Sequence, residues 1–210
     1  MPSPQRARLA ALPDARRAQL LDPAEREFAT HGFAHASLNR ILTNAGMSKG
    51  QAYHYITGKT DLYAAVLQRA FARLLAKMDF EFGNPDQPDA FWARVNALLT
   101  RLSTVLHSDA RLAALAMGVY ESPQTRVALT ETSATIRARF AALIAQGQAL
   151  GAVRADLPDD LLMDMFFAMA SETDRWFAAH WQALDAAELT RLNQVVLSMF
   201  RAAAEPPKKE

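Results

Sequence analysis

The chain has 210 residues, half of them hydrophobic and 21% charged, with a formal net charge of +1 and no cysteine. That is enough apolar material to bury one or two cores. It excludes a disulfide framework, a thiolate nucleophile and a cysteine zinc site, which fits a reducing compartment, so a cytoplasmic location is expected.

Alanine and leucine dominate, and no segment alternates apolar and polar residues with the period of two that a half-buried strand requires, so the fold class reads as all-α. The N-terminus has no apolar leader core and every apolar run is interrupted by charge before it can span a bilayer, so no membrane partner is expected. Residues 1–60 carry eight Lys or Arg against four Asp or Glu, leaving 15 against 18 beyond. The basic excess therefore lies at the N-terminal end, where a solvated helix face and a phosphate-facing surface explain it equally well.

In chain order, residues 1–12 hold Pro2, Pro4, Arg6 and Arg8 with little amphipathic pattern and read as a flexible arm whose arginines can reach a minor groove. A first helix is predicted from Asp14 to His31, with Leu20, Leu21, Ala24 and Phe28 on one face and Gly32 ending it. Pro23 interrupts it, either bending the helix or restarting it with Asp22 as N-cap. Ser37 then caps a short helix carrying Leu38, Ile41 and Leu42, which ends at Asn44 or Ala45 before a turn at Gly46. Ser48 caps the next, with Gln51 completing a capping box, and this helix runs to Tyr55 or Ile56. A fourth begins at Lys59, with Asp61 near its positive end, and continues to about Phe82.

The stretch Gly83-Asn84-Pro85-Asp86-Gln87-Pro88 is the clearest break. Beyond it, helices are predicted near 90–107, 109–120, 124–149, 159–183 and 186–204, the last opened by a capping box of Asp185 and Glu188. Residues 205–210 read as a disordered tail. Two short helices joined by a glycine turn, at 37–56, have the form of a helix-turn-helix whose second helix projects into a DNA major groove, although such pairs also occur as plain packing units.

The runs Phe28-Ala29-Thr30-His31-Gly32-Phe33, Ser37-Leu38-Asn39-Arg40-Ile41, Ala45-Gly46-Met47-Ser48-Lys49-Gly50-Gln51-Ala52-Tyr53-His54-Tyr55-Ile56 and Gly58-Lys59-Thr60-Asp61-Leu62 resemble the DNA-binding domain of the TetR family of regulators. The resemblance covers about Leu20 to Leu67; Gly147-Gln148 to Gly151 also looks like a recurrent family turn. Leu42, Ile56, Gly58 and Pro23 depart from the family pattern, and none removes a DNA-facing group.

The resemblance implies an N-terminal three-helix helix-turn-helix DNA-binding domain at 13–60 and a helical-bundle ligand-binding and dimerisation domain at 61–204. It implies a homodimeric repressor of near-palindromic double-stranded operator DNA, released by a small-molecule effector. Ser37 and Ser48 stand at helix N-termini, where hydroxyls and backbone N–H groups receive phosphate oxygens. Lys49 is implied to meet phosphate or a base edge, and Gly50 permits close backbone approach. Gln51 can read adenine, in competition with its capping role. Tyr53 and His54 can hydrogen-bond phosphates, Tyr55 packs inward, and Lys59 can hold a phosphate together with the free N–H groups of its helix.

For the effector, Trp92, His107, Met117, Tyr120, Phe140, Phe166, Phe167 and Trp176 are candidate pocket residues. Neither metal, cofactor nor catalytic residues are expected. A helical-bundle enzyme would need a Glu-x-x-His pair, which the sequence lacks, and a protein-binding adaptor on the same fold is distinguished by the salt dependence of DNA binding.

Overall fold

In a computed structural model the structure describes residues 4–79, 81–118, 130–180 and 183–207. Those residues form ten α-helices and contain no strand: α1 (Pro4–Ala10), α2 (Asp14–His35), α3 (Leu38–Ala45), α4 (Lys49–Tyr53), α5 (Lys59–Met78), α6 (Pro88–Ser108), α7 (Ala110–Gly118), α8 (Thr130–Ala149), α9 (Asp159–His180) and α10 (Ala186–Ala204). The predicted starts and stops hold closely for most of them. The beginning of the helix expected at 124–149, residues 181 and 182 of the helix expected at 159–183, and the last three tail residues lie outside the described residues.

The chain divides into two compact units, one of Met1–Lys77 with Leu106–Thr132, the other of Met78–Val105 with Ser133–Glu210. The first is larger than the 13–60 expected. Its core explains why: Leu62, Val66, Leu67 and Ala70 of α5 are buried, as are Leu112 and Leu115 of α7, and α2 packs against both α3 and α7. Phe28 of α2 meets Tyr63 of α5 edge-on at 4.8 Å, and Phe33 lies 5.1 Å from the same ring.

Two expectations in this unit are corrected. The N-terminal segment is a helix rather than a loose arm, because Leu9 is buried and Arg6 donates to Gln68 Oε1 at 2.9 Å and to the Asp61 carbonyl at 3.3 Å. Pro23 neither restarts nor breaks α2. Asp22, instead of capping a new helix, pairs with Arg69 at 2.6 Å, and the proline ring is itself buried. The helical geometry is interrupted at Gly32 (φ 67°), where the first helix was expected to end.

Two buried carboxylates tie α2 to its neighbours. Glu25, almost wholly buried, accepts Arg69 Nη2 at 2.6 Å and Arg73 Nη2 at 2.8 Å. Burial pushes its carboxyl up, but the hydrogen bonds and charges of Arg73 and Arg69 outweigh that and hold it below the usual carboxylate range. Glu27 accepts Nε and Nη2 of Arg40 on α3 and the Ser37 backbone N–H at 2.8 Å. Its carboxyl is likewise lowered, chiefly by the Arg40 hydrogen bonds, against the opposing effect of burial.

The second unit centres on Phe91, Trp92, Val153, Leu162 and Phe166, with Ile144, Leu197 and Phe200 packed around them. Gly147 decides how closely α8 approaches the rest. A Cβ there would run into Val153 Cγ2 and lie 2.9 Å from Phe91 Cζ, so any larger residue would force those side chains to shift. The chain then turns at Gly151 (φ 69°), where Ala152 N–H returns to the Gly147 carbonyl at 2.8 Å. This is the turn singled out in the sequence, and Arg154 N–H secures it to the Ala204 carbonyl at 2.7 Å. Asp185 caps α10 through the Glu188 N–H, but only half of the expected capping box forms, because the Glu188 carboxylate holds Arg191 instead. No described helix is long and apolar enough to cross a membrane.

Candidate nucleic-acid interface

The turn between α3 and α4 is set by Gly46, whose left-handed backbone (φ 62°) lets Met47 N–H reach the Leu42 carbonyl at 3.0 Å and Gly46 N–H reach that of Thr43 at 3.1 Å. A residue with a Cβ is strained in that conformation, and the paired return bonds close the helix end. Leu42, larger than the alanine usual in the family, is accommodated as buried core.

At the start of α4 the capping box is complete: Gln51 N–H donates to Ser48 Oγ at 3.2 Å and Ser48 N–H donates to Gln51 Oε1 at 2.9 Å. Helix α4 has only five residues, fewer than needed to hold itself in water. Its stability comes from Ala52 (1% exposed) and Ile56 (fully buried), which seat it on the core. A cap at each end and one anchoring face leave the opposite face free. Lys49, Gly50, Gln51, Tyr53 (48% exposed) and His54 all lie on the solvent side, whereas Tyr55 is half-buried, as expected.

The remaining site residues are placed unevenly. Ser37 accepts the Arg40 N–H at 3.3 Å as the cap of α3. Lys59 opens α5 as predicted, but its ammonium is engaged: Nζ donates to the carbonyls of Ala34 (3.0 Å) and Ala36 (2.9 Å) and lies 4.9 Å from the Phe33 ring centre. One ammonium hydrogen is left for any phosphate. Lys59 therefore fastens the segment that delivers Ser37. Asp61 closes the same corner by accepting Thr57 N–H at 2.8 Å.

Residues 20–66 match the family model for bacterial regulatory proteins of the tetR family. That segment of the chain is similar to the DNA-binding domain of the TetR family.

Among curated relatives, the chain is 32% identical over 87 residues to the HTH-type transcriptional repressor SCO4008 of Streptomyces coelicolor, covering 41% of this chain and 42% of that protein. It is 29% identical over 157 residues to the HTH-type transcriptional repressor Rv1474c of Mycobacterium tuberculosis, covering 70% and 74%. It is 40% identical over 63 residues to the HTH-type transcriptional activator FasR of Mycolicibacterium smegmatis, covering 30% and 29%. Two of these three matches therefore span less than half of the relative's length. Among solved structures, FadR of Bacillus subtilis in complex with stearoyl-CoA superposes with a TM-score of 0.68 at 17% identity, over 89% of this chain and 98% of that one. SmeT, the repressor of the Stenotrophomonas maltophilia efflux pump SmeDEF, gives 0.67 at 22%, over 90% and 89%. At those identities the shared property is the fold.

The candidate effector residues do not gather into one pocket. Trp92 and Phe166 belong to the packed core of the second unit, with Phe166 stacked on Phe200 at 6.0 Å. Phe140 and Phe167 meet edge-on at 6.3 Å, with Arg137 over the Phe167 ring. Trp176 is 45% exposed and stacks on His180 at 4.2 Å. His107 is exposed near the end of α6, in the first unit. Nothing is described of the Met117 side chain, and Tyr120 lies outside the described residues. The open cleft of about 420 Å³ in the second unit is lined instead by Met169, Glu172, Thr173, Val196, Met199 and Phe200, none of them among the eight. Large apolar residues on a sequence stripe mostly fill core, so such a stripe does not by itself mark a cavity.

Proposed function

We propose that the chain is a homodimeric repressor that inserts α4 into the major groove of near-palindromic operator DNA and is released by a small-molecule effector. The observation that carries the reading is the division of α4 into a buried anchoring side, Ala52 with Ile56 just beyond, and an exposed side bearing Lys49, Gln51, Tyr53 and His54. Every exposed side chain in that row can donate a hydrogen bond to a phosphate or a base edge. Ser37 and Ser48 add the N-termini of α3 and α4, Gly50 lets the duplex backbone come close, and Lys59 acts mainly by positioning Ser37.

The capping box engages Gln51 Oε1, so a bidentate contact to adenine would require that bond to be exchanged; a single donor bond from its amide is the favoured mode. Dimerisation through α9 and α10 is favoured by Leu161, Met165 and Trp176 on the first and Val195 and Met199 on the second, all large, apolar and exposed. Two copies of α4 would then sit about 34–36 Å apart, one turn of duplex. The effector belongs to the second unit, and α5 and α6 are chain segments that pass from one unit into the other. An effector that prefers the conformation with the wrong spacing would release the operator. This activity places the protein in the cytoplasm with the DNA.

The test is enrichment of duplexes from a random library by the wild-type protein, followed by fluorescence anisotropy of the enriched duplex at two salt concentrations. A near-palindromic duplex whose affinity falls steeply with salt is expected. Failure to enrich any duplex, or an affinity indifferent to salt, overturns the reading. Mass spectrometry of small molecules carried through native purification then supplies effector candidates, each checked by its effect on operator affinity.

A further inference from the structure

The N-terminal helix supplies a feature that neither the helix-turn-helix nor the effector unit uses. Helix α1 is held at three points. Arg6, with a side chain only 12% exposed, donates to Gln68 Oε1 and to the backbone and side chain of Asp61 on α5. Leu9 is buried, and Arg17 donates to the Ala10 carbonyl at 3.0 Å. Between the first two anchors stands Arg8, which is exposed. Its Nη1 lies 3.4 Å from the carbonyl oxygen of His54, the residue that ends α4.

We propose that Arg8 is a DNA-backbone contact, meeting a phosphate beside the groove that α4 enters. This rests on the reading of α4 as the DNA-reading helix. A guanidinium has five N–H donors, and the single bond to His54 is long and solvent-facing, so a fork of donors remains for a phosphate. Lys49 stands at the first position of α4 and Arg8 at its end, so a cation lies at each end of a helix about 7.5 Å long. The walls of the major groove, about 12 Å apart, are phosphates, so cations at both ends of α4 are suitably placed to meet them. Because Arg6 and Leu9 fix α1, Arg8 is positioned before DNA arrives, and little further ordering is needed on binding.

The experiment uses the full-length protein and the duplex enriched by the wild type. Arg8→Gln is expected to lower affinity about 5- to 10-fold at 0.1 M salt and to reduce the slope of log affinity against log salt by about one. The melting temperature should not change, and Arg8→Lys should restore the slope. Arg6→Ala, which frees α1, should weaken binding as well, although Arg6 itself is turned away from solvent. An unchanged salt slope in Arg8→Gln, whether or not affinity falls, overturns the proposal, as does a loss that Arg8→Lys fails to restore. A changed preference among base pairs would assign Arg8 to base edges in place of phosphate and also overturns it. If the wild-type protein enriches no duplex, it is the DNA-binding reading that fails first.

Discussion

Replacing Glu25 by glutamine tests the claim that buried charge pairing holds α2 against α5. The substitution keeps volume and one acceptor oxygen but removes the charge that Arg69 and Arg73 share, while both Nε groups are already buried without a hydrogen-bond partner. Breaking a buried pair by removing one partner costs about 3–5 kcal/mol. The two arginine side chains are 27% and 35% exposed, and Arg69 keeps Asp22, so water and the second carboxylate offset part of that loss. About 2 kcal/mol is expected, a shift of roughly 4–8 °C in melting temperature for a chain of this size.

The effect has a pH signature. The Glu25 carboxyl lies below its unfolded value, so its contribution is fully present above the ordinary glutamate pKa of about 4.3 and is lost as pH falls through the lower folded value. The gap between wild type and Glu25→Gln should therefore be constant from pH 7 to about 5 and close below about 4. Glu27 and Asp109 are lowered too, but they titrate in both proteins and cancel in the difference. Urea denaturation followed by circular dichroism across this range measures the gap. A gap below about 0.5 kcal/mol at neutral pH, or one that persists undiminished at pH 3, would refute the argument.

Gly147→Ala should destabilise the second unit by about 1–3 kcal/mol through overpacking against Val153 and Phe91, and Val153→Ala in the same chain should recover part of it; equal melting temperatures for single and double variants would contradict the packing account. Lys49→Ala is expected to lower operator affinity and the salt slope by about one ion while leaving stability within about 0.5 kcal/mol, read by anisotropy and thermal melting. Lys59→Met should do the reverse in emphasis, costing about 1–2 kcal/mol of stability from two lost hydrogen bonds with a smaller change in salt slope; a full unit of slope would restore the direct phosphate role expected from the sequence. Met165→Glu with Met199→Glu should shift the protein to monomer in sedimentation velocity and weaken operator binding, and an intact dimer would place the interface elsewhere.

The helix-turn-helix was legible because its ends are written in local chemistry. Ser37, Gly46 and the Ser48–Gln51 pair each satisfy backbone groups within a few residues of themselves, so short windows of sequence suffice to find them. Helix α1 was not, since seven residues opening with Pro4 carry no periodicity and the helix is held by Asp61 and Gln68 more than fifty positions away. Partners 44 and 48 positions away likewise hid Glu25, whereas Glu27 pairs with Arg40 only 13 positions on. Arg69 and Arg73, four apart on α5, offered a signal of a shared acidic partner, but nothing local said which carboxylate it was. The effector region was least readable because a phenylalanine in a core and one lining a cavity have identical sequence patterns.

Helix α4 borrows its rigidity from Ala52, Ile56 and the Ser48–Gln51 cap, while the outward-facing side chains of Lys49, Tyr53 and His54 lie outside both the cap and the buried seat. On the proposed reading, recognition and folding thus fall to different positions of one short segment. Such a segment can acquire new base preferences by replacement at Lys49, Tyr53 and His54 without endangering the scaffold, so operators in a lineage built on this frame can diverge faster than the frame itself.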